Sequence, residues 1–354
     1  MRRVAIVGSH GLYANYGGFE QLVRNLVDER SDNIHYEIFN PRTNSLNDCA
    51  VDNVTLKSSI FKASGFEGIL FDFFSILRCF FRNDTVLLLG NGAFPIIPLL
   101  TLFKRTKIIS NPGGIEWERE QFGFFAKLYL RLCFKMSLRF ADVVILDNEH
   151  FKSHLPNNRF IRASIKVIPY GGTIDYSLKT TPDMVNKYPF LKLNYYLSVS
   201  RSIPDNMVRE LCHSFKTRES ILVVISNLSS SEYGKQILNE FSNEKNIYLI
   251  DGLYEKPVLD LIRRQCKAYI HTHMTCGTAP SLVEMIVSKR PIISIDNPQN
   301  KFTLMNEGLY FKTFENLSEI IEEFDESDVI MTSDALVNRY SWVDVVSSYQ
   351  NLLQ

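Results

Sequence analysis

Three patterns are missing from the 354 residues: there is no CxxC pair, no Asp-x-Asp, and no GxGxxG after the first strand-like run. Without CxxC, the six cysteines (Cys49, Cys79, Cys133, Cys212, Cys266 and Cys276) offer no redox pair or disulfide framework and read as reduced thiols. Without Asp-x-Asp, the paired carboxylates that usually hold a metal against a phosphorylated ligand are absent, so any diphosphate bound here needs helix amides and basic side chains instead. Without GxGxxG, a nicotinamide cofactor is poorly supported. A surplus of charge is lacking as well. Lys and Arg number 39 and Asp and Glu 39, so no global field gathers nucleic acid. No repeat of roughly 20–50 residues and no low-complexity tract is visible.

Long apolar runs are scarce. The N-terminal MRRVAIVGSHG has five apolar residues before a glycine turn, too few for a signal-peptide core, and reads as a first strand. Residues 85–103 carry no charge, but Gly90, Asn91, Gly92, Pro95 and Pro98 interrupt them. A spanning helix wants about 20 mainly apolar residues, so a buried strand, a tight turn and a short helix fit better.

What is present is an α/β alternation. Strands are expected at Arg3–Val7, His35–Phe39, Thr85–Leu89, Lys107–Ser110, Val143–Leu146 and Lys166–Pro169. A second series runs through Tyr195–Ser200, Ile221–Ile225, Ile247–Ile250, Ala268–His271 and Pro291–Ile295. Continuous β-branched runs alternating with helical patterns imply parallel sheets covered on both faces. The seam between the two series lies near Gly171–Leu193. The resulting expectation is two Rossmann-like doubly wound domains, 1–175 and 190–335, facing each other across a cleft, with 336–354 a helix returning to the first. Ligands of such folds sit at the carboxyl ends of strands, and the candidate residues lie there.

The first strand runs into GSHGLYANYGGFE at 8–20, where Gly17 and Gly18 open an amphipathic helix with Leu22, Val23 and Leu26 facing inward. Bare amides and absent side chains there suit a phosphate or sugar; the plainer alternative is a glycine-rich connection without a ligand. In the second half, HTHMTCGTAPSLVE at 271–284 ends a strand at His271. It continues through Gly277, Thr278, Ala279, Pro280 and Ser281 into a helix carrying Glu284. Thr278 or Ser281 is expected to cap that helix. Its amides suit a diphosphate and Glu284 suits ribose hydroxyls, or else Glu284 only complements the helix dipole. Arg201 and Lys235 are placed to neutralise a diphosphate. His271, His273 and Cys276 have a spacing that seats zinc, but no fourth ligand is evident, and no metal is assigned.

These residues resemble bacterial retaining glycosyltransferases of the GT-B fold, of the family 4-like kind, and within them a rhamnosyltransferase-like branch. The likeness is carried by GSHGLYANYGGFE at 8–20, LLLGNGAF at 87–94, NPGGIEWER at 111–119 and HTHMTCGTAPSLVE at 271–284, with IPYGG at 168–172 and RSIPDN at 201–206. The resemblance implies transfer of a sugar, rhamnose from dTDP-rhamnose in this branch, to a lipid-linked oligosaccharide of a surface polysaccharide such as O-antigen or capsule. Glucosyl, galactosyl or mannosyl transfer, or a non-catalytic partner subunit, are the other readings. By the same resemblance Arg201 and Lys235 hold the diphosphate and Glu284 the ribose. Gly17, Gly18, His271 and the 277–281 loop border the donor, and Glu116 with Arg119 faces the acceptor. The chain departs from the pattern at Gly113, Cys276 and Ala279, where relatives carry Asp, Glu and Asn. No cofactor or metal is implied beyond the nucleotide-sugar substrate.

Residues 66–81 hold six phenylalanines, and Lys127, Arg131, Lys135 and Arg139 recur every four residues as one helical stripe. A basic stripe beside an apolar face fits a helix lying on an anionic bilayer, and equally a core helix with a solvated cationic back. The expected location is the cytoplasm, peripheral on the inner face of the membrane.

Overall fold

The computed structural model describes residues 1–12, 17–42, 52–63, 65–103, 106–118, 122–325 and 332–354. The chain divides into two units, Met1–Tyr170 with Trp342–Gln354, and Gly171–Ser341.

The first unit holds β1 (Arg2–Val7), β2 (Ile34–Asn40), β3 (Val54–Ser58), β4 (Thr85–Leu89), β5 (Lys107–Asn111), β6 (Val143–Leu146) and β7 (Ser164–Val167). They form one sheet in the order β3-β2-β1-β4-β5-β6-β7. Every pairing in it is parallel, with Val4 set between Tyr36 and Thr85. Alternation divides the apolar runs between two faces. Val4 and Ile6 join the side covered by the helices Gly18–Asp28 and Trp342–Leu353. Ala5 and Val7 join the side covered by Gly65–Cys79 and Phe124–Phe140. Leu22, Val23 and Leu26 face inward as their spacing implies.

The second unit repeats the plan with β8 (Tyr195–Val199), β9 (Ile221–Ser226), β10 (Ile247–Asp251), β11 (Ala268–His271), β12 (Ile292–Ile295) and β13 (Leu309–Phe311). The order is β10-β9-β8-β11-β12-β13, again with all pairs parallel. Its helix Pro280–Val287 is almost wholly apolar and buries Leu282, Val283, Met285 and Ile286 against the sheet.

β3 and β13 are additional to the strands read from the sequence. Both are edge strands: β3 is half-exposed and carries polar residues, and β13 is an apolar run of only three residues, too short to stand out as a strand. The strand expected at Lys166–Pro169 begins two residues earlier, at Ser164. The uncharged 85–103 segment becomes β4, a turn with a single helical turn at Phe94–Ile96, and the short helix Ile97–Leu100. No helix of the described residues is long and apolar enough to cross a membrane. None of the five cysteines among the described residues forms a disulfide, and Cys49 lies outside them.

The last helix is part of the first unit's core through Trp342, Val345, Val346, Tyr349 and Leu353. It is also bonded to the sheet, since Asn111 Nδ2 donates to the Tyr349 hydroxyl at 2.7 Å. Both partners are buried, so removing the hydroxyl strands an amide that water cannot reach. Tyr349→Phe is expected to cost about 1–3 kcal/mol, read as a lower urea midpoint with an unchanged slope.

Candidate functional site

In a doubly wound sheet the helices leave on opposite faces where the strand order reverses, which opens a crevice at the carboxyl ends of the two strands concerned. The second unit reverses between β8 and β11. The loops leaving these strands are 200–206 and 272–279, and they carry most of the residues singled out from the sequence.

Side chains of RSIPDN tie the two loops together. Asn206 Nδ2 donates to the Arg201 carbonyl at 2.8 Å, and the Asn206 carbonyl accepts the Thr272 hydroxyl. Asp205 takes the Met274 amide on its carbonyl at 3.0 Å and the Thr275 hydroxyl on its carboxylate at 3.2 Å. From the other side Asn297 donates to the His273 carbonyl at 3.0 Å. Asp205 and Asn206 were not among the site residues read from the sequence. Their sign is an Asx pair directly after a Pro at a strand end, which reads as a turn until its partners are seen.

Three buried polar atoms at neighbouring strand ends have no hydrogen-bond partner among the described residues. They are Ser226 Oγ at the end of β9, Ser200 Oγ just past β8, and His271 Nε2 at the end of β11. Buried polar groups in folded proteins are nearly always paired, so three at neighbouring strand ends stand out. His271 is buried, and its pKa lies well below that of an ordinary imidazole. Burial is the main cause and the neighbouring His273 adds to it. Their ring centres are 4.2 Å apart. The ring is neutral at physiological pH, and the Tyr269 hydroxyl lies 3.4 Å from its Nδ1.

Arg201 is half-buried in the 200–206 loop, beside the orphaned Ser200. Lys235 is exposed in the first turn of the helix Glu232–Phe241, with Glu232 4.0 Å away. The start of that helix is bound to the Arg201 loop: Ser231 caps it by accepting from Gly234 and donates to the Ser202 carbonyl at 3.0 Å. Ser202 in turn bonds Asn227 after β9.

The helix Pro280–Val287 begins differently from expectation. Its N-cap is Ala279, and no side chain caps it; neither Thr278 nor Ser281 does so. Thr278 is buried, and Ser281 instead hydrogen-bonds the Tyr269 hydroxyl. Pro280 has no amide hydrogen and the Leu282 and Val283 amides donate to the Ala279 carbonyl at 3.0 and 3.1 Å, which leaves the Ser281 amide at the helix start. Gly277 and Ala279 are buried and Pro280 is half-buried in the same turn.

Glu284 stands in the second turn, not the first, so it does not serve the helix dipole in the way its spacing suggested. It is buried and ion-paired to Arg263. Arg263 also binds Asp260 at 2.8 Å, and Asp260 accepts Lys256 at 2.7 Å and the Asp175 amide at 2.9 Å. Among the described residues no three His, Cys, Asp or Glu side chains are grouped to hold a metal, which includes His271, His273 and Cys276.

The first unit reverses between β1 and β4. Gly8 ends β1 at φ +98°, and a Cβ there would lie 1.9 Å from the Leu89 carbonyl oxygen, so only glycine permits this approach to β4. Gly17, at φ +136°, is the N-cap of the helix that Gly18 begins. A Cβ on Gly17 would fall 1.8 Å from Glu20 Oε2, and the same carboxylate accepts the His10 amide at 2.8 Å. An internal anion thus already lies at this helix start. Glu116 sits on the turn Glu116–Glu118, and Arg119 lies outside the described residues. Of the cationic stripe, Arg131 and Lys135 are exposed on the helix Phe124–Phe140, while Lys127 and Arg139 are half-buried.

Two all-parallel α/β units in succession, each with one reversal of strand order, make up the GT-B fold. Solved structures of that fold superpose on essentially the whole chain. One is sucrose-phosphate synthase from Thermosynechococcus elongatus, with a TM-score of 0.79 and 13% identity over 99% of this chain and 98% of that one. Another is HepE from Anabaena in complex with UDP and glucose, with a TM-score of 0.74 and 14% identity over 100% and 99%. A glycosyltransferase from Rickettsia africae gives 0.69 and 14% identity over 99% and 97%. A family described as "Domain of unknown function (DUF1972)" matches residues 1–79 and 85–173. No curated protein matches the sequence.

Two outcomes follow from the second unit. Replacing Arg263 by Met leaves Asp260 and Glu284 buried without their shared cation, at a cost of about 3–5 kcal/mol. The double change Arg263→Met with Glu284→Gln is expected to recover part of that loss in urea unfolding. Neutral His271 sets a pH dependence. Above about pH 6.5 both folded and unfolded chains hold it neutral. Below that value only the unfolded chain takes up the proton, so stability falls by up to about 1.4 kcal/mol per pH unit. His271→Gln is expected to flatten the acid side of the stability profile by that slope.

Proposed function

We propose that the chain is a glycosyltransferase that takes its sugar from a nucleoside diphosphate donor bound at the carboxyl ends of β8, β9 and β11. The observation that carries this reading is the set of unpartnered polar atoms on Ser200, Ser226 and His271, lined up at those strand ends beside Arg201. The uncapped start of the Pro280–Val287 helix stands in the same loop region. The fold supports it, since HepE, a protein of the same fold, was solved with UDP and glucose.

In this reading the diphosphate meets the Ser281 amide at the helix start, the guanidinium of Arg201 and the ammonium of Lys235. Charge that develops on the leaving oxygen is met by groups already in place, which is where such stabilisation is largest. Gly277, Thr278 and Ala279 bring backbone against the donor. Neutral His271 offers Nε2 for a hydrogen bond to a sugar or phosphate oxygen. Glu284 accepts the ribose hydroxyls on its carboxylate while Arg263 fixes its position. The acceptor hydroxyl attacks from the face the diphosphate leaves, with retention and no covalent intermediate. Gly17 and Gly18 border the donor by their bare backbone, since Glu20 already supplies the anion at that helix start, and Glu116 with Arg119 serves the acceptor. The donor is dTDP-rhamnose and the acceptor a lipid-linked oligosaccharide, which places the protein at the cytoplasmic face of a membrane. Basic side chains rather than a metal carry the leaving charge, so transfer is expected to be unchanged by EDTA.

A thermal-shift panel of dTDP-rhamnose, UDP-glucose, UDP-galactose and GDP-mannose, with NAD as control, tests the reading. A donor at 100 times its Kd stabilises by about 2.7 kcal/mol. The shift is expected for one donor and lost in Arg201→Ala and in Glu284→Gln. A shift with UDP-glucose alone transfers the assignment to glucosyl transfer. Binding without turnover makes the chain a non-catalytic partner, and no shift with any nucleotide refutes the reading.

A further inference from the structure

The helix Phe124–Phe140 carries a second site within the first unit, independent of the donor reading. Its C-terminal half buries Cys133, Phe134, Ser137 and Leu138. Its N-terminal half turns Phe124, Phe125, Leu128 and Leu132 outward, with the two phenylalanines 76% and 83% exposed. Four large apolar side chains in under three turns form a patch that a soluble surface seldom shows without a partner. The helix has four cations, Lys127, Arg131, Lys135 and Arg139, and no acidic residue.

Two of those cations line a pocket of about 360 Å³ with Trp117, Phe134, Ser153 and His154. Trp117 packs on Phe134 with ring centres 4.8 Å apart, which gives the pocket an aromatic wall. His154 pairs with Glu118 at 3.3 Å, and Ser153 donates to the His150 carbonyl at 2.7 Å. Among the described residues no carboxylate comes within ion-pair distance of Arg131 or Lys135. Arg131 and Lys135 are three residues on from Leu128 and Leu132, so pocket and patch share one stretch of helix surface.

We infer that this pocket binds the phosphate headgroup of an anionic lipid while Phe124, Phe125, Leu128 and Leu132 enter the acyl layer beside it. Apolar side chains next to cations, on a helix free of acids, match the boundary between acyl chains and lipid phosphates. Guanidinium and ammonium together suit the several oxygens of a phosphate monoester, while Ser153 and His154 are held by their own partners in the pocket wall. An ester-blocked phosphate of the same net charge fills the pocket less well.

Co-sedimentation of the full chain with three kinds of vesicle tests this. They are phosphatidylcholine alone, phosphatidylcholine with phosphatidic acid, and phosphatidylcholine with phosphatidylserine at matched charge. Binding is expected to be strongest with phosphatidic acid. The change Arg131→Gln with Lys135→Gln is expected to lower that binding about thirtyfold, down to the phosphatidylserine level. Phe124→Ser with Phe125→Ser is expected to lower binding to both anionic vesicles. Neither variant should alter the donor-induced thermal shift, which also reports that each is folded and separates this site from the donor site. Three results overturn the proposal: equal binding by wild type and the Gln variant, equal binding to all three vesicles, or loss of a dimer in the Ser variant without loss of vesicle binding. The last would assign the patch to a second copy of the chain.

Discussion

A single buried guanidinium organises the second unit. Arg263 binds Asp260 on its own helix and Glu284 on the next, and Asp260 also holds the Asp175 amide. Lys256 completes the cluster by donating to the Thr173 carbonyl at 2.6 Å. These bonds fix two helices and the entering segment 173–175 to one another. Arg263, Asp260 and Glu284 are buried, and isolated burial of any of these three charges costs several kcal/mol, whereas Lys256 keeps contact with water. The position of the Glu284 carboxylate is thus a property of the cluster and not of its own helix.

The central strands were legible because a buried parallel strand leaves a compact apolar signature such as IIS, LVVIS or VVIL. Edge strand β3 left none because its last residues are in water, and β13 is only three residues long. The site was legible to the level of loops. Glycine, proline and small hydroxylated residues between a strand and a helix marked 277–281, and the strand-end position marked Arg201 and His271. What could not be read was pairing over distance. Arg263 and Glu284 lie twenty-one positions apart, and nothing local in either helix announces the other. The missing cap on Ala279 was equally hidden, since Ser281 has the chemistry to cap and is turned to the Tyr269 hydroxyl.

The two units use one local device at many strand ends. In the first, Asn40 accepts the Leu12 amide, Asn91 accepts the Ser110 hydroxyl, Asn111 accepts the Gly113 amide and Asn148 accepts the His150 amide. In the second, Asn227 accepts the Ser202 amide, while Asn206 and Asn297 donate to the Arg201 and His273 carbonyls. Asparagine both donates and accepts, so one side chain closes a turn and ties it to a neighbour.

The chain's route through the units has a consequence for its synthesis. Residues Gly172 and Ser341 are bridged, and the Gly172 amide donates to the Tyr340 carbonyl, so the outgoing and returning segments run side by side. The first unit's core is incomplete until Trp342, Val346 and Tyr349 are made, after the whole second unit has been translated. At ribosomal speeds that interval is roughly 10–30 s. During it, the face of the first sheet awaiting the last helix is exposed apolar surface. The nascent first unit is accordingly a natural client for a chaperone, while the second unit, continuous in sequence, has all its core residues as soon as it is made.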